Sequence, residues 1–322
     1  MKLSVILPNY NHAHLVGHAL DSILSQSFVP YEVIVLDDGS TDDSLQVLRR
    51  YEQKHAILTI HAFKRNQGTV VACNQLLELA TGDYILGFPA DDIVLPGAFK
   101  RAARQIELHP GVGACCADYL MVDTTSGHIE SHRLDWRKDA GLVTPSELAE
   151  VLRGGWLPSF TCFIRRDALH MGGYFPESLK WHADWFAYLA VAFRYGVCYV
   201  PEPFAARRRH ADAYGTAGRR RREEQDQVLR SLIDVLKAPE NRDVLPWFVR
   251  SGASLFFSGE LDRLVMSDPS LWDPETLMIA QMPIWDHLQK CRSHINAMWD
   301  ERMDAPLDPD LETFIRKALL SE

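Results

Sequence analysis

Three stretches of this 322-residue chain close a short apolar run with polar groups suited to holding a ligand. Pro8-Asn9-Tyr10-Asn11 follows "LSVIL", Asp37-Asp38-Gly39-Ser40-Thr41-Asp42 follows "EVIVL", and Ala90-Asp91-Asp92 follows "DYILGF". A single ending of this kind is ordinary, because Asn and Asp are turn and cap residues. Three in succession point to a ligand, since parallel α/β sheets bind ligands beyond the carboxyl ends of their strands. The adjacent carboxylates Asp91 and Asp92 suit a hard divalent cation, which takes one or two carboxylates together with substrate phosphates. "PNYNH" has neither the G-x-G-x-x-G of a dinucleotide site nor the G-K-[ST] of a P-loop. A nucleotide in this chain is therefore held in some other way.

Residues placed like this need a sheet to carry them, and the pattern from residue 3 onward supplies one. "LSVIL", "EVIVLDD", "AILTIHAF" and "DYILGF" read as buried strands. Between them lie helical periods: one capped by Asn11 with Leu15, Val16, Ala19, Leu20, Ile23 and Leu24 on its apolar face, then "STDDSLQVLRRYE", then "TVVACNQLLELA". Pro96 opens a further helix to about His109. "GACCADYLMV", the segment around "HIESHRL" and "SFTCFI" are expected to be strands, and Asp184 to Tyr195 a helix closed by Gly196. The fold class is α/β, a mostly parallel sheet flanked by helices. After Gly218 the chain is helix-like without a convincing strand, which sets a boundary near 215–220.

With 34 basic and 43 acidic side chains and a net charge of −9, the protein is not a general nucleic-acid binder, which needs a basic surface to neutralise phosphate. The longest apolar candidate, "WFAYLAVAFRYGVCYV", is cut by Arg194 and Gly196 and falls short of the ~20 residues of a membrane span. The opening "MKLSVILPNYN" is too short for a signal-peptide core and reads as a first strand. Six cysteines include no C-x-x-C, so they are read as free thiols of a reducing cytoplasm. The expected setting is cytoplasmic, with contact at the inner face of a membrane an open option.

The succession "SVILPNYN", "SILSQSF", "EVIVLDDGSTDDS", "NQGTVVACNQLLELATGDYILGFPADD" and "FIRRDALHMGGYF" resembles glycosyltransferase family 2, the inverting sugar-nucleotide transferases of GT-A fold. The likeness covers about residues 1–210. It implies a nucleotide-sugar-binding half over 1–110, an acceptor and catalytic-base half over 111–215, and a helical extension over 216–322. Pro8 and Tyr10 match the loop that cradles the nucleotide base, and Asp38 the carboxylate that accepts the uracil N3–H in users of UDP-sugars. Asn66 and Gly68 match a segment near ribose and diphosphate. Asp91 and Asp92 match the D-x-D region that holds Mn²⁺ or Mg²⁺, with Asp92 the direct ligand and Pro89 replacing a first carboxylate. Asp184 matches the catalytic base, preceded here by Ala183 instead of Glu. "FAARRRHADAYG" is similar to an R-x-x-H segment, whose Arg208 and His210 contact phosphate or metal, with Arg207 and Arg209 as further cations.

Several of these residues have plainer uses. Asp184 can be an N-cap complementing the helix dipole. Trp156, Trp181 and Trp185 can stack on a sugar, although aromatic residues mostly serve for their buried area. Arg219 to Arg222 followed by Glu223 and Glu224 can form i,i+4 pairs or meet anionic lipid. The resemblance predicts a metal-dependent transferase acting on a nucleotide-sugar donor and a glycan or lipid-linked acceptor, in bacterial surface polysaccharide, lipopolysaccharide or glycoprotein assembly. A non-catalytic sugar-nucleotide-binding scaffold that oligomerises through its helical tail, and a sugar nucleotidyltransferase, are the alternatives.

Overall fold

In the computed structural model, residues 1–152, 155–209 and 218–281 are described. Strand β1 (Leu3–Asn9) lies parallel to β2 (Glu32–Asp37) and β4 (Tyr84–Gly87), and β2 parallel to β3 (Leu58–Ala62). Parallel neighbours cannot be joined by a tight turn. Helices α1 (Val16–Leu24), α2 (Ser44–Glu52) and α3 (Thr69–Leu79) make the crossovers. The register pairs Asn9 with Asp37 and Ile6 with Gly87, so the three polar endings emerge along one edge of the sheet.

The sheet continues through β9 (Phe163–Arg165), β6 (Ala114–Asp123), β10 (Val197–Arg209) and β5 (Ile93–Val94), in the order β3-β2-β1-β4-β9-β6-β10-β5. Strand β7 (Ile129–His132) adds to β6, and β8 (Gly141–Val143) adds to β10. Because β9 runs antiparallel to both β4 and β6, the sheet is mixed. Helices α4 (Ala98–Leu108), α5 (Pro145–Val151), α6 (Arg166–Met171) and α7 (Ala183–Tyr195) complete this part of the chain. Leu3, Val5 and Leu7 of β1, Val33 and Val35 of β2, and Val16, Ala19, Leu20 and Ile23 of α1 share one buried cluster. Each Val, Leu or Ile among them contributes roughly 1.5–3 kcal/mol by leaving water.

Three elements differ from expectation. Helix α1 starts at Val16 and not beside Asn11, because Asn11 adopts φ 57° and its side-chain Oδ1 accepts the Thr41 N–H at 2.8 Å. "SFTCFI" divides into a 3-10 turn, Ser159–Thr161, and the short β9. The longest strand, β10, runs through Pro201 and Pro203, where prolines would be expected to end pairing. It survives because register shifts at Val200/Pro203 and Pro203/Ala205 absorb them.

Two compact units divide the chain at 253/254, so the helices Arg222–Lys237 and Leu245–Ser251 belong to the first unit, Met1–Ala253. The compositional change near residue 216 thus falls inside a compact unit. The second unit, from Ser254, includes helices Ser258–Ser267 and Pro274–Ile279, the latter capped by Asp273 accepting the Thr276 N–H at 3.0 Å. Among the described residues no helix is long and apolar enough to cross a membrane.

Candidate active site

The loops after β1 and β2 are zipped together by side chains. Ser40 Oγ donates to Asp37 Oδ1 at 2.6 Å and accepts the Asn11 N–H at 2.9 Å, and Asn9 Nδ2 donates to Asp37 Oδ1 at 2.8 Å. Asn9 is buried, and its Oδ1 finds no hydrogen-bond partner among the described residues. Such an acceptor costs about 1–3 kcal/mol unless a donor reaches it. Sequence reading placed Asn9 in a polar strand ending suited to a ligand, but gave it no role of its own, since nothing in its type sets it apart from a turn residue. Pro8 is half-buried beside it, and Tyr10 is 41% exposed at the rim.

Asp38 is buried at 3% exposure, and both its oxygens are engaged: Oδ1 accepts the Gln67 N–H at 2.7 Å and Oδ2 the Gly68 N–H at 2.9 Å. Asp38 and Gly68, which the resemblance assigns to different parts of a nucleotide, therefore meet directly. Gly39 makes the approach feasible, because at φ 68° a Cβ there would lie 2.5 Å from the Arg65 carbonyl carbon. Asn66 sits exposed on the same loop.

The Asp pair lies between β4 and β5, facing the end of β10. The Arg208 N–H donates to Asp92 Oδ1 at 2.8 Å, and the Arg208 guanidinium donates to the Asp91 carbonyl. Arg208 thus ties β10 to the pair through its backbone and its fork. Asp92 is 2% exposed and Asp91 half-buried. Burial first, and the Asp91 charge second, push the Asp92 carboxyl up to about 7, against the pull of the Arg208 N–H and the Arg207 and Arg208 charges. Crowded negative charge of this kind, with oxygen donors alone, fits a hard dication better than a soft one. Among the described residues no three His, Cys, Asp or Glu side chains form a ready-made cage.

Asp184 stands in the first turn of α7, half-buried. It does not cap that helix; His182 holds the N-cap position, without a side-chain hydrogen bond. The Asp184 carboxylate instead accepts the Trp185 N–H at 2.8 Å and a hydrogen bond from Ser159. Burial raises its pKa, with those bonds and the Arg207 charge opposing. One turn on, Tyr188 brings its hydroxyl against Gly87, where a Cβ would sit 3.2 Å away. The helix carrying Asp184 is in this way seated on the strand that delivers the Asp pair.

Two groups show that the three carboxylate positions share one region. Arg207 acts electrostatically on both Asp92 and Asp184 while lying over the Phe160 ring at 5.5 Å. Cys73 of α3 feels both Asp184 and Asp38, which add to burial in pushing its thiol up to about 12. This thiol is therefore inert at neutral pH. Arg209 turns elsewhere, pairing with Glu130 at 3.0 Å. His210 lies outside the described residues. Trp181 and Trp185 are buried, while Trp156 is half-buried in an aromatic group with Tyr119 and Phe160. Two surface clefts of about 370 and 470 Å³ lie away from this region, around Trp136 and Glu147 and around Met171 and Asp243.

The glycosyl transferase family 2 model matches residues 4–173, more than half of the chain and the whole stretch from β1 through β9. The chain belongs to glycosyl transferase family 2. A glycosyltransferase of Nostoc sp., alr2836, is 34% identical over 113 residues, 35% of this chain and 35% of that protein. The match thus spans about a third of that relative's length. Among solved structures of GT-A fold, S. aureus TarS 1-349 in complex with UDP-GlcNAc aligns with a TM-score of 0.63 at 22% identity, covering 84% of this chain and 82% of that one. The mannosyltransferase PcManGT from Pyrobaculum calidifontis, in complex with GDP-Man and Mn²⁺, aligns with a TM-score of 0.56 at 21% identity over 94% and 88% of the two chains. The family is one of glycosyltransferases, and the fold of this member is the GT-A arrangement described above.

Proposed function

We propose that this glycosyltransferase is an inverting, metal-dependent enzyme that moves a sugar from a UDP-sugar to an acceptor hydroxyl. The observation that carries the reading is the place of Arg207, next to Arg208 whose N–H meets Asp92 and over the ring of Phe160 next to Ser159, which bonds Asp184. In this reading a donor diphosphate held at the Asp pair would present its anomeric carbon to a base on α7.

In this reading Pro8, Tyr10 and Asn9 surround the base, and Asp38 holds the Gln67–Gly68 backbone around the nucleoside while one lone pair on its oxygens accepts the uracil N3–H. Asp92 and Asp91 would hold Mn²⁺ or Mg²⁺, which when bound supplies Lewis-acid stabilisation to the departing diphosphate. Arg207 adds positive charge where the leaving group becomes more negative, and His210 is the further phosphate or metal contact that the resemblance implies. Asp184 accepts the proton of the acceptor hydroxyl as its oxygen bonds the anomeric carbon from the face opposite the nucleotide. The C–O bond to the diphosphate breaks as the new one forms, so an α-linked donor yields a β-linked product. A raised pKa suits this role, because a carboxylate held above its ordinary range binds the proton more readily.

TarS, a poly(ribitol-phosphate) β-N-acetylglucosaminyltransferase seen with UDP-GlcNAc, and PcManGT, seen with GDP-Man and Mn²⁺, support a sugar nucleotide as donor and a dication beside it. The acceptor belongs to cell-surface glycan assembly in this proposal. The test is nucleotide release from UDP-glucose, UDP-GlcNAc, UDP-galactose and GDP-mannose, with Mn²⁺ or with EDTA. Release from a UDP-sugar that EDTA abolishes is expected. Metal-independent release, or a GDP-sugar as the better donor, would contradict the metal dependence or the UDP preference.

A further inference from the structure

The segment leading into Asp184 is held from outside by the helix Arg222–Lys237. Trp181 Nε1 donates to Gln225 Oε1 at 2.7 Å, and His182 Nε2 lies 3.2 Å from the same amide group. Immediately upstream, Lys180 Nζ pairs with Glu224 Oε1 at 2.5 Å. Three consecutive residues are thus bound by two consecutive residues of one helix. The backbone between them needs this support, since Lys180 adopts φ 44°, a conformation that non-glycine residues keep only when their surroundings impose it.

The ring of His182 points to the same arrangement. It occupies the N-cap of α7, yet makes no cap hydrogen bond. It pairs with Gln225 instead, and burial with the nearby Arg219 charge pushes its pKa down to about 3, so the ring is neutral. Trp181 is pressed from one side by Gly218, where a Cβ would lie 2.3 Å from Cε3. Gln225 itself is 1% exposed, on a helix whose other inward residues, Val228, Leu229 and Leu232, are apolar. An aliphatic residue would fill that position equally well for packing alone. An amide there has a use only if the indole and imidazole must be held in fixed orientations.

We propose that Gln225 is a positioning residue for Asp184: by fixing Trp181 and His182 it sets the entry of α7 and the direction in which the Asp184 carboxylate faces the acceptor. This rests on Asp184 as the base. It also gives the helix after β10 a share in the chemistry, although its residues lie beyond the 4–173 stretch that carries the family match.

The test uses the full chain and release of nucleotide from whichever of the four donors above the wild type turns over fastest. Gln225→Leu is expected to lower kcat by about 10- to 100-fold, the scale that a misplacement of about 1 Å produces. The donor KM should stay within about twofold, since ground-state binding is untouched. Gln225→Glu, which keeps an acceptor for Trp181, should recover most of the loss. Leu232→Ala, a packing change in the same helix, should lower Tm but not kcat. Hydrogen exchange of the peptide spanning 180–186 should quicken in Gln225→Leu, with the remainder of α7 protected. The proposal is overturned if Gln225→Leu keeps wild-type kcat, or if kcat in both helix variants simply follows Tm. Asp184→Asn in the same assay separates the two ideas. Full activity in that variant removes Asp184 as base, whereas its inactivity beside a fully active Gln225→Leu removes only the positioning role.

Discussion

Replacing Asp92 by Asn should stabilise the metal-free protein near pH 8 while removing its response to metal and nucleotide. In the folded chain burial and Asp91 hold the Asp92 carboxyl at about 7, against an ordinary value of 3.8. Ionising it in the folded state therefore costs on the order of 4 kcal/mol at about pH 8. Asn keeps an oxygen for the Arg208 N–H, now 2.8 Å from Asp92 Oδ1, and carries no charge. For a unit of this size the gain corresponds to a Tm rise on the order of 10 °C.

The pH dependence has a definite sign. Between about 4 and 7 the folded state holds the Asp92 proton that the unfolded state has released, so wild-type stability falls as pH rises through that window. Asn has no such dependence, and its advantage should vanish near pH 4. Thermal unfolding in EDTA across that range measures both curves. Adding Mn²⁺ with UDP should reverse the order, stabilising the wild type alone. A variant less stable than wild type at about pH 8, or a gain equal at both ends, would refute the claim that Asp92 is a carboxylate held at a cost for a cation.

Asp184→Asn should reduce turnover by about 10²- to 10⁴-fold, the usual worth of a general base, with nucleotide affinity unchanged by calorimetry. Asp38→Ala strands the Gln67 and Gly68 N–H groups and should cost about 2–6 kcal/mol of stability, at roughly 1–3 per orphaned donor. Urea unfolding would show it, together with weakened UDP binding. Arg207→Met should lower kcat by about 10- to 100-fold with a small change in Tm, while Arg209→Met, which breaks the exposed pair with Glu130, should leave kcat intact.

The first four strands and the crossover helices were legible because β-branched runs and helical periods alternate cleanly there. The Asp pair was legible as chemistry because charge at the end of an apolar run has no packing use. Strand β10 was hidden by Pro201 and Pro203 and by its ending in three arginines, which lack the apolar alternation of a strand. That omission concealed how Arg208 meets the Asp pair and why Arg207, one residue earlier, is the cation common to Asp92 and Asp184. Asp184 read locally as an N-cap, and only the fold reveals that His182 takes that position. Gln225 carried no signal at all and Asn9 only that of the strand ending it belongs to, since an amide's importance depends on partners distant in sequence.

Calorimetric titration of UDP into the protein, with and without Mn²⁺ and with Asp92→Asn alongside, tests the central claim most directly. The account predicts binding that Mn²⁺ strengthens at least about tenfold in the wild type, a coupling of some 1.4 kcal/mol, and no effect of Mn²⁺ in the variant. UDP binding that ignores Mn²⁺, or that keeps its metal dependence without the Asp92 carboxylate, would contradict it.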